Sequence, residues 1–186
     1  MKKLGLCILL LLFLTGCSEE EKALERGMEL RTKLLSASGF SFQADITADY
    51  ADKLHNFSMN CRADGDGNVE FTVTAPESIA GITGRIHKEG GELTFDDTAL
   101  SFKLLADGQL SPVSAPWTLV RTLRSGYLTA ACREDSGLHL TIDDSYDEDA
   151  LTLDVWLDEQ DQPERAEILY DGRRILTLLI TDVVLS

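Results

Sequence analysis

Thiols are the most reactive groups in this chain, so the first question is what each could do. The 186 residues hold four cysteines and three histidines against 32 carboxylates. Cys17 closes the run Leu14-Thr15-Gly16-Cys17, directly after an apolar stretch, Leu4 to Leu14, broken only by Gly5 and Cys7. Lys2 and Lys3 precede that stretch. A positive start and an apolar segment too short to span a bilayer make a secretory signal. Thr15 and Gly16 are small enough to lie extended in a peptidase site, and a thiolate is the group that takes a lipid. The spacing predicts a lipoprotein signal at 1–16, cleavage before Cys17 and a diacylglyceryl group on its sulfur. An ordinary signal cut near Gly16, leaving a soluble secreted protein, is the competing reading.

Cys7 would leave with the signal, so Cys61 and Cys132 remain. Outside the cytoplasm an even pair can form a disulfide. Two buried free thiols, behaving as small hydrophobes, are the alternative.

Little else is poised for chemistry. His55, His87 and His139 show no metal-ligand spacing, and each is expected on the solvent face of a strand. The chain has no Gly-x-Ser-x-Gly elbow, phosphate loop or dinucleotide fingerprint. Asp64-Gly65-Asp66-Gly67-Asn68 lacks the spaced glutamate of a calcium loop and reads as a hairpin turn. Asp143, Asp144, Asp147, Glu148 and Asp149 read as a solvated loop. No catalytic residue, metal ligand or cofactor is expected, and an enzyme is the least supported class.

The net charge is −15, and losing Lys2 and Lys3 with the signal makes it −17. Such a surface repels nucleic-acid phosphates and keeps the domain from lying flat on anionic headgroups. The 170 residues left after residue 16 suffice for one domain with its own core.

The elements that position these groups follow from periodicity. After a short tether at 17–20, residues 21–37 have helical spacing. Ala23, Leu24, Gly27, Met28, Leu30, Leu34 and Leu35 share one arc, and core packing outweighs a membrane-lying role because the polar face is not basic. The period then becomes two. Phe40 to Tyr50, Phe57 to Ala63 and Val69 to Ala75 alternate as three strands, and Pro76 stops the third. A strand over 79–88 follows, with Ala80, Ile82, Gly84 and Ile86 on one face. A hairpin is expected around Asp97-Thr98. Residues 105–116 read as a long loop, and long loops tend to be functional. Pro116 suits the first turn of a short helix carrying Trp117, Val120 and Leu123. Strand sets return with Leu128, Ala130 and Cys132, then Leu138 to Ile142, Leu151 to Leu157, Ala166 to Tyr170 and Ile175 to Leu185. The fold class is therefore α+β. A strongly curved antiparallel sheet of about ten strands, an unclosed β-barrel, has its concave face covered by an N-terminal helix and a short inserted helix.

This order resembles the LolA/LolB lipoprotein-carrier superfamily, and within it the Gram-positive, GerS-like membrane lipoproteins. The resemblance spans nearly all of 20–186. It rests on the lipobox, the leading helix, the first three-strand meander, the segment Ala75-Pro76-Glu77-Ser78-Ile79-Ala80-Gly81-Ile82 and the helix near Trp117. It implies a single LolA-like domain over 21–186 with an apolar cavity under a helical lid. It also implies either acyl-chain carriage or partnership with a cell-envelope protein. Two function classes follow, both non-catalytic and both anchored to the extracytoplasmic face of the cell membrane. In one, the domain is a binding or adaptor module for a cell-envelope protein, with Trp117 and loop 105–116 as candidate contacts; for Trp117, packing in the core under the sheet outweighs that use. In the other, Phe42, Phe57, Phe71 and Ile82 line a cavity for acyl chains or lipoproteins; a closed core is the alternative use of the same residues.

Overall fold

The computed structural model describes residues 17–186 except 52, 104, 107–108, 135–136 and 148–149. The expected signal at 1–16 and the side chain of Cys17 lie outside the described residues. No described helix is long and apolar enough to cross a membrane.

Among the described residues helix α1 spans Cys17–Ser36, so the residues read as a tether form its first described turn. Glu19 and Glu20 lie in that turn, where the helix dipole favours negative charge. Six strands follow as a meander: β1 (Gly39–Asp49), β2 (Leu54–Asp64), β3 (Val69–Ala75), β4 (Thr83–His87), β5 (Gly90–Phe95) and β6 (Thr98–Phe102). A minor pair, β7 (Leu105–Ala106) and β8 (Gln109–Leu110), leads through a 3-10 turn at Pro112–Ser114 into α2 (Ala115–Ser125). The chain ends with β9 (Tyr127–Glu134), β10 (Gly137–Asp143), β11 (Leu151–Leu157), β12 (Pro163–Tyr170) and β13 (Arg173–Leu185).

Eleven strands form one antiparallel sheet in the order β6-β5-β4-β3-β2-β1-β13-β12-β11-β10-β9. Pairing of β1 with β13 joins the two meanders at the centre. The outermost strands of that order, β6 and β9, remain edges, so the barrel is unclosed as expected. The inner faces of the central strands carry the core, including Phe42, Ile46, Met59, Val155, Ile168 and Leu178. Each such side chain, fully buried, stabilises the fold by about 1.5–3 kcal/mol.

Helix α2 lies in the concavity with eight of its eleven residues buried. Two arginines tie it to α1. Arg31 Nε donates to the carbonyl of Leu123 (2.9 Å), and Arg124 Nη1 donates to that of Leu34 (2.7 Å). Arg124 Nη2 also donates to the Gly65 carbonyl at the β2–β3 turn (2.5 Å). The first two bonds satisfy carbonyls at helix ends that have no intrahelical donor.

Several expectations are corrected. Helix α1 buries Ala23, Gly27, Leu30 and Leu34, a narrower seam than the predicted arc, and leaves Leu24, Met28 and Leu35 exposed. The cause is a close approach: a Cβ on Gly27 would stand 3.0 Å from Leu140 Cδ2, so the helix meets the sheet along one line. The strand over 79–88 is shortened to β4, because residues 76–81 form a turn after the cis Ala75–Pro76 bond. The β5–β6 turn is Asp96-Asp97, both at positive φ (47° and 60°), the hand that suits a two-residue hairpin.

Strand β9 departs most from its expected pattern. Its register with β10 shifts between Thr141 and Ile142, which pair with Ala130 and Leu128, so Thr129 is an extra residue. Such a bulge exchanges the faces of all residues beyond it. Leu128 and Ala131 therefore point inward, while Ala130 and Cys132 are exposed.

Candidate functional site

The four expected cavity residues lie on one side of the sheet, but they do not enclose a space together. Phe42 and Phe71 are almost wholly buried, Phe57 is 9% exposed, and all three belong to the closed core. Ile82 is partly buried at its margin. Trp117, weighed as a partner contact against a place in the core, is only 6% exposed, with the Arg121 guanidinium 5.2 Å from its ring centroid. It belongs to the core cluster, as packing under the sheet requires, because α2 lies inside the concavity. The later part of loop 105–116 also packs inward. Leu110 is buried, and its carbonyl accepts a 2.5 Å bond from Tyr50 Oη.

The cysteines expected to pair are both free, Cys61 buried and Cys132 exposed. The bulge at Thr129 places them on opposite faces of the sheet. Burial pushes the Cys61 thiol up to about 12.

Pairing registers draw a row across the inner face. Phe42 opposes Cys61, Cys61 opposes Phe71, Phe71 opposes Gly84, Gly84 opposes Leu93, and Leu93 opposes Leu100. The Phe71 ring leaves no room for a Cβ on Gly84. Beyond that glycine the cover by described residues ends. Leu93 is partly buried, and Leu100 is 62% exposed on edge strand β6. Phe95, on the same face two residues beyond Leu93, is 53% exposed. Phe102 continues this surface, its ring packed over Gly91. The helices cover the other part of the concavity. Apolar surface on a sheet edge with free backbone donors and acceptors is a template for another strand.

The outer face carries a second constellation, absent from the sequence-based expectations. Cys132 opposes His139, and His139 opposes Trp156. Cys132 Sγ is 3.7 Å from His139 Nδ1, and Glu134 Oε1 is 3.1 Å from the same nitrogen. His139 Nε2 is 3.2 Å from Asp154 Oδ1, which also accepts from Thr141 Oγ1 (2.7 Å). The imidazole stacks on the Trp156 ring at 4.4 Å, and Trp156 Nε1 donates to Glu134 Oε2 (3.1 Å).

Cys132, His139 and Asp154 thus stand as nucleophile, base and third group. Their electrostatics oppose that use. Desolvation and the nearby charges of Glu134, Asp154 and Glu20 hold the thiol above its ordinary value, whereas a nucleophilic cysteine needs the reverse. The Glu134 carboxylate also stands nearer to Nδ1 than the sulfur does. The signal for this cluster lies in Cys132, Glu134 and His139 around one hairpin, but the expected parity of β9 turns Cys132 inward and hides it.

No family model matches the chain, and no curated protein matches it in sequence. Solved structures of similar architecture include an uncharacterized conserved protein from Thermus thermophilus, at 11% identity, 86% of each chain covered and a TM-score of 0.48. A LolA superfamily protein from Nitrosomonas europaea aligns at 12% identity over 86% of this chain and 93% of that one, with a TM-score of 0.49. The Mycobacterium tuberculosis lipoprotein LppX aligns at 13% identity over 87% and 93%, with a TM-score of 0.42.

Proposed function

We propose that this chain is a non-catalytic binding module, held at the extracytoplasmic face of the cell membrane by a lipid on Cys17. Its open β6 edge takes an extended, partly apolar segment of a cell-envelope protein, in the manner of a GerS-like adaptor. The observation that carries this reading is the row from Phe42 to Leu100, closed in the core at one end and, among the described residues, uncovered on edge strand β6 at the other. A peptide added beside β6 would gain main-chain hydrogen bonds from the edge and place alternate side chains on Leu100 and Phe102. An acyl chain has no use for those bonds, and the packing of Phe42, Phe57 and Phe71 offers it no channel.

Mass spectrometry of the protein gently extracted from its own membrane separates the two readings. The adaptor reading expects only the covalent lipid on Cys17. A stoichiometric non-covalent lipid, lost on Leu100→Lys, would favour the carrier reading instead.

A further inference from the structure

We propose that Cys132, Glu134 and His139 form a three-ligand site for a divalent ion of zinc's class on the outer face of β9 and β10. The three offer one thiolate, one carboxylate oxygen and one imidazole nitrogen, and these ligand atoms all lie within 4.8 Å of one another. With Zn–S near 2.3 Å and Zn–N near 2.0–2.1 Å, tetrahedral ligands stand about 3.3–3.6 Å apart. The 3.7 Å from Sγ to Nδ1 and the 3.1 Å from Nδ1 to Oε1 bracket that range. Thiolate, imidazole and carboxylate together select zinc-like ions over calcium or magnesium, which prefer oxygen alone.

The surroundings orient each ligand. Asp154 Oδ1 lies 3.2 Å from His139 Nε2 and is positioned by Thr141. A carboxylate accepting from that nitrogen leaves the Nδ1 lone pair for the metal, the usual outer partner of a metal-bound histidine. Trp156 fixes the imidazole plane by stacking and holds the other Glu134 oxygen through Nε1. The competing arrangement is an imidazolium bridging Glu134 and Asp154. That arrangement has no need of the sulfur, yet Cys132 converges on the same nitrogen. Metal binding would release the thiol proton to solvent and join edge strand β9 to β10, leaving a fourth position open to water or an added ligand.

The test is cobalt(II) titration of the full chain carrying Cys7→Ala and Cys17→Ala, so that Cys132 is the accessible thiol. One equivalent of cobalt should give a thiolate charge-transfer absorption that zinc displaces. Cys132→Ser should abolish the band. His139→Gln and Glu134→Gln should each weaken affinity at least tenfold, and Asp154→Asn about 10–100-fold as an orienting partner. Circular dichroism should show every variant folded. No band in the parent, or one indifferent to His139→Gln and Glu134→Gln, would overturn the proposal and leave the imidazolium bridge.

Discussion

Leu93 and Leu100 face each other across the β5–β6 hairpin, and the cover over the inner face ends between them. Leu93 packs against the core margin, whereas Leu100 is mostly exposed. The two helices close the concavity over the rest of the sheet and stop short of this hairpin. One continuous apolar face therefore has a structural part and an available part.

Substitutions along that row should separate the two parts. Phe71→Ala should cost about 3–5 kcal/mol of stability, the range for emptying an aromatic site in a packed core. Leu100→Ala should change stability by less than about 0.5 kcal/mol, as for an ordinary surface position. Urea unfolding of both variants measures the contrast. Equal losses would mean that the edge is part of the core.

The two cysteines should respond oppositely to an alkylating reagent. In native, chelator-treated protein at about pH 8, below the ordinary thiol range, peptide mapping should find Cys132 modified and Cys61 protected until the chain unfolds. The Cys61 thiol is raised by burial from an ordinary 9.0 to about 12 in the folded state. Its folded pKa is above its unfolded one, so its stabilising contribution is fully present below about pH 9 and is lost as the pH climbs toward 12. Cys61→Ala should flatten that alkaline loss.

Thr122→Val should stabilise the protein. Thr122 Oγ1 is buried and has no hydrogen-bond partner among the described residues. A methyl group of the same shape removes a desolvation cost of about 1–3 kcal/mol. A gain of ~1 kcal/mol corresponds to about 2–4 °C in Tm for a domain of this size. A lower melting temperature would show that the hydroxyl is satisfied in solution.

Arg124 should act as a clamp. It donates to carbonyls on α1 and on the β2–β3 turn, so Arg124→Ala should cost about 1–3 kcal/mol through two charge-assisted bonds. Arg124→Lys should recover only part of this, because a single ammonium lacks the planar fork that reaches both acceptors. Hydrogen exchange should show the last turn of α1 opening first in the alanine variant.

Much of the fold is legible in the chain because one period rules each segment. The alternation from Phe40 to Asp49 and from Phe57 to Ala63 places every inward residue correctly, and Pro116 marks the start of α2 within one residue. The misreadings occur where a local irregularity overrides the period. The extra residue at Thr129 reverses the faces of β9, which undoes the disulfide and creates the outer cluster. The burial of Trp117, by contrast, agrees with its i, i+3 spacing with Val120 and Leu123, which favours the core over a partner contact. The open edge is hidden, because the apolar residues of β5 and β6 have the same alternation as covered strands; only the extent of the helices leaves them bare.

The most direct test of binding at the β6 edge is site-specific photo-crosslinking in the native envelope. A benzoylphenylalanine at Leu100 and another at Phe95 are compared with one at Thr152, on the far side of the sheet. Edge binding predicts one discrete protein adduct from the two edge positions, lost when Ser101→Pro removes an edge hydrogen-bond donor, and none from Thr152. Adducts to lipid alone at Leu100 and Phe95, or the same protein adduct from Thr152, would contradict it.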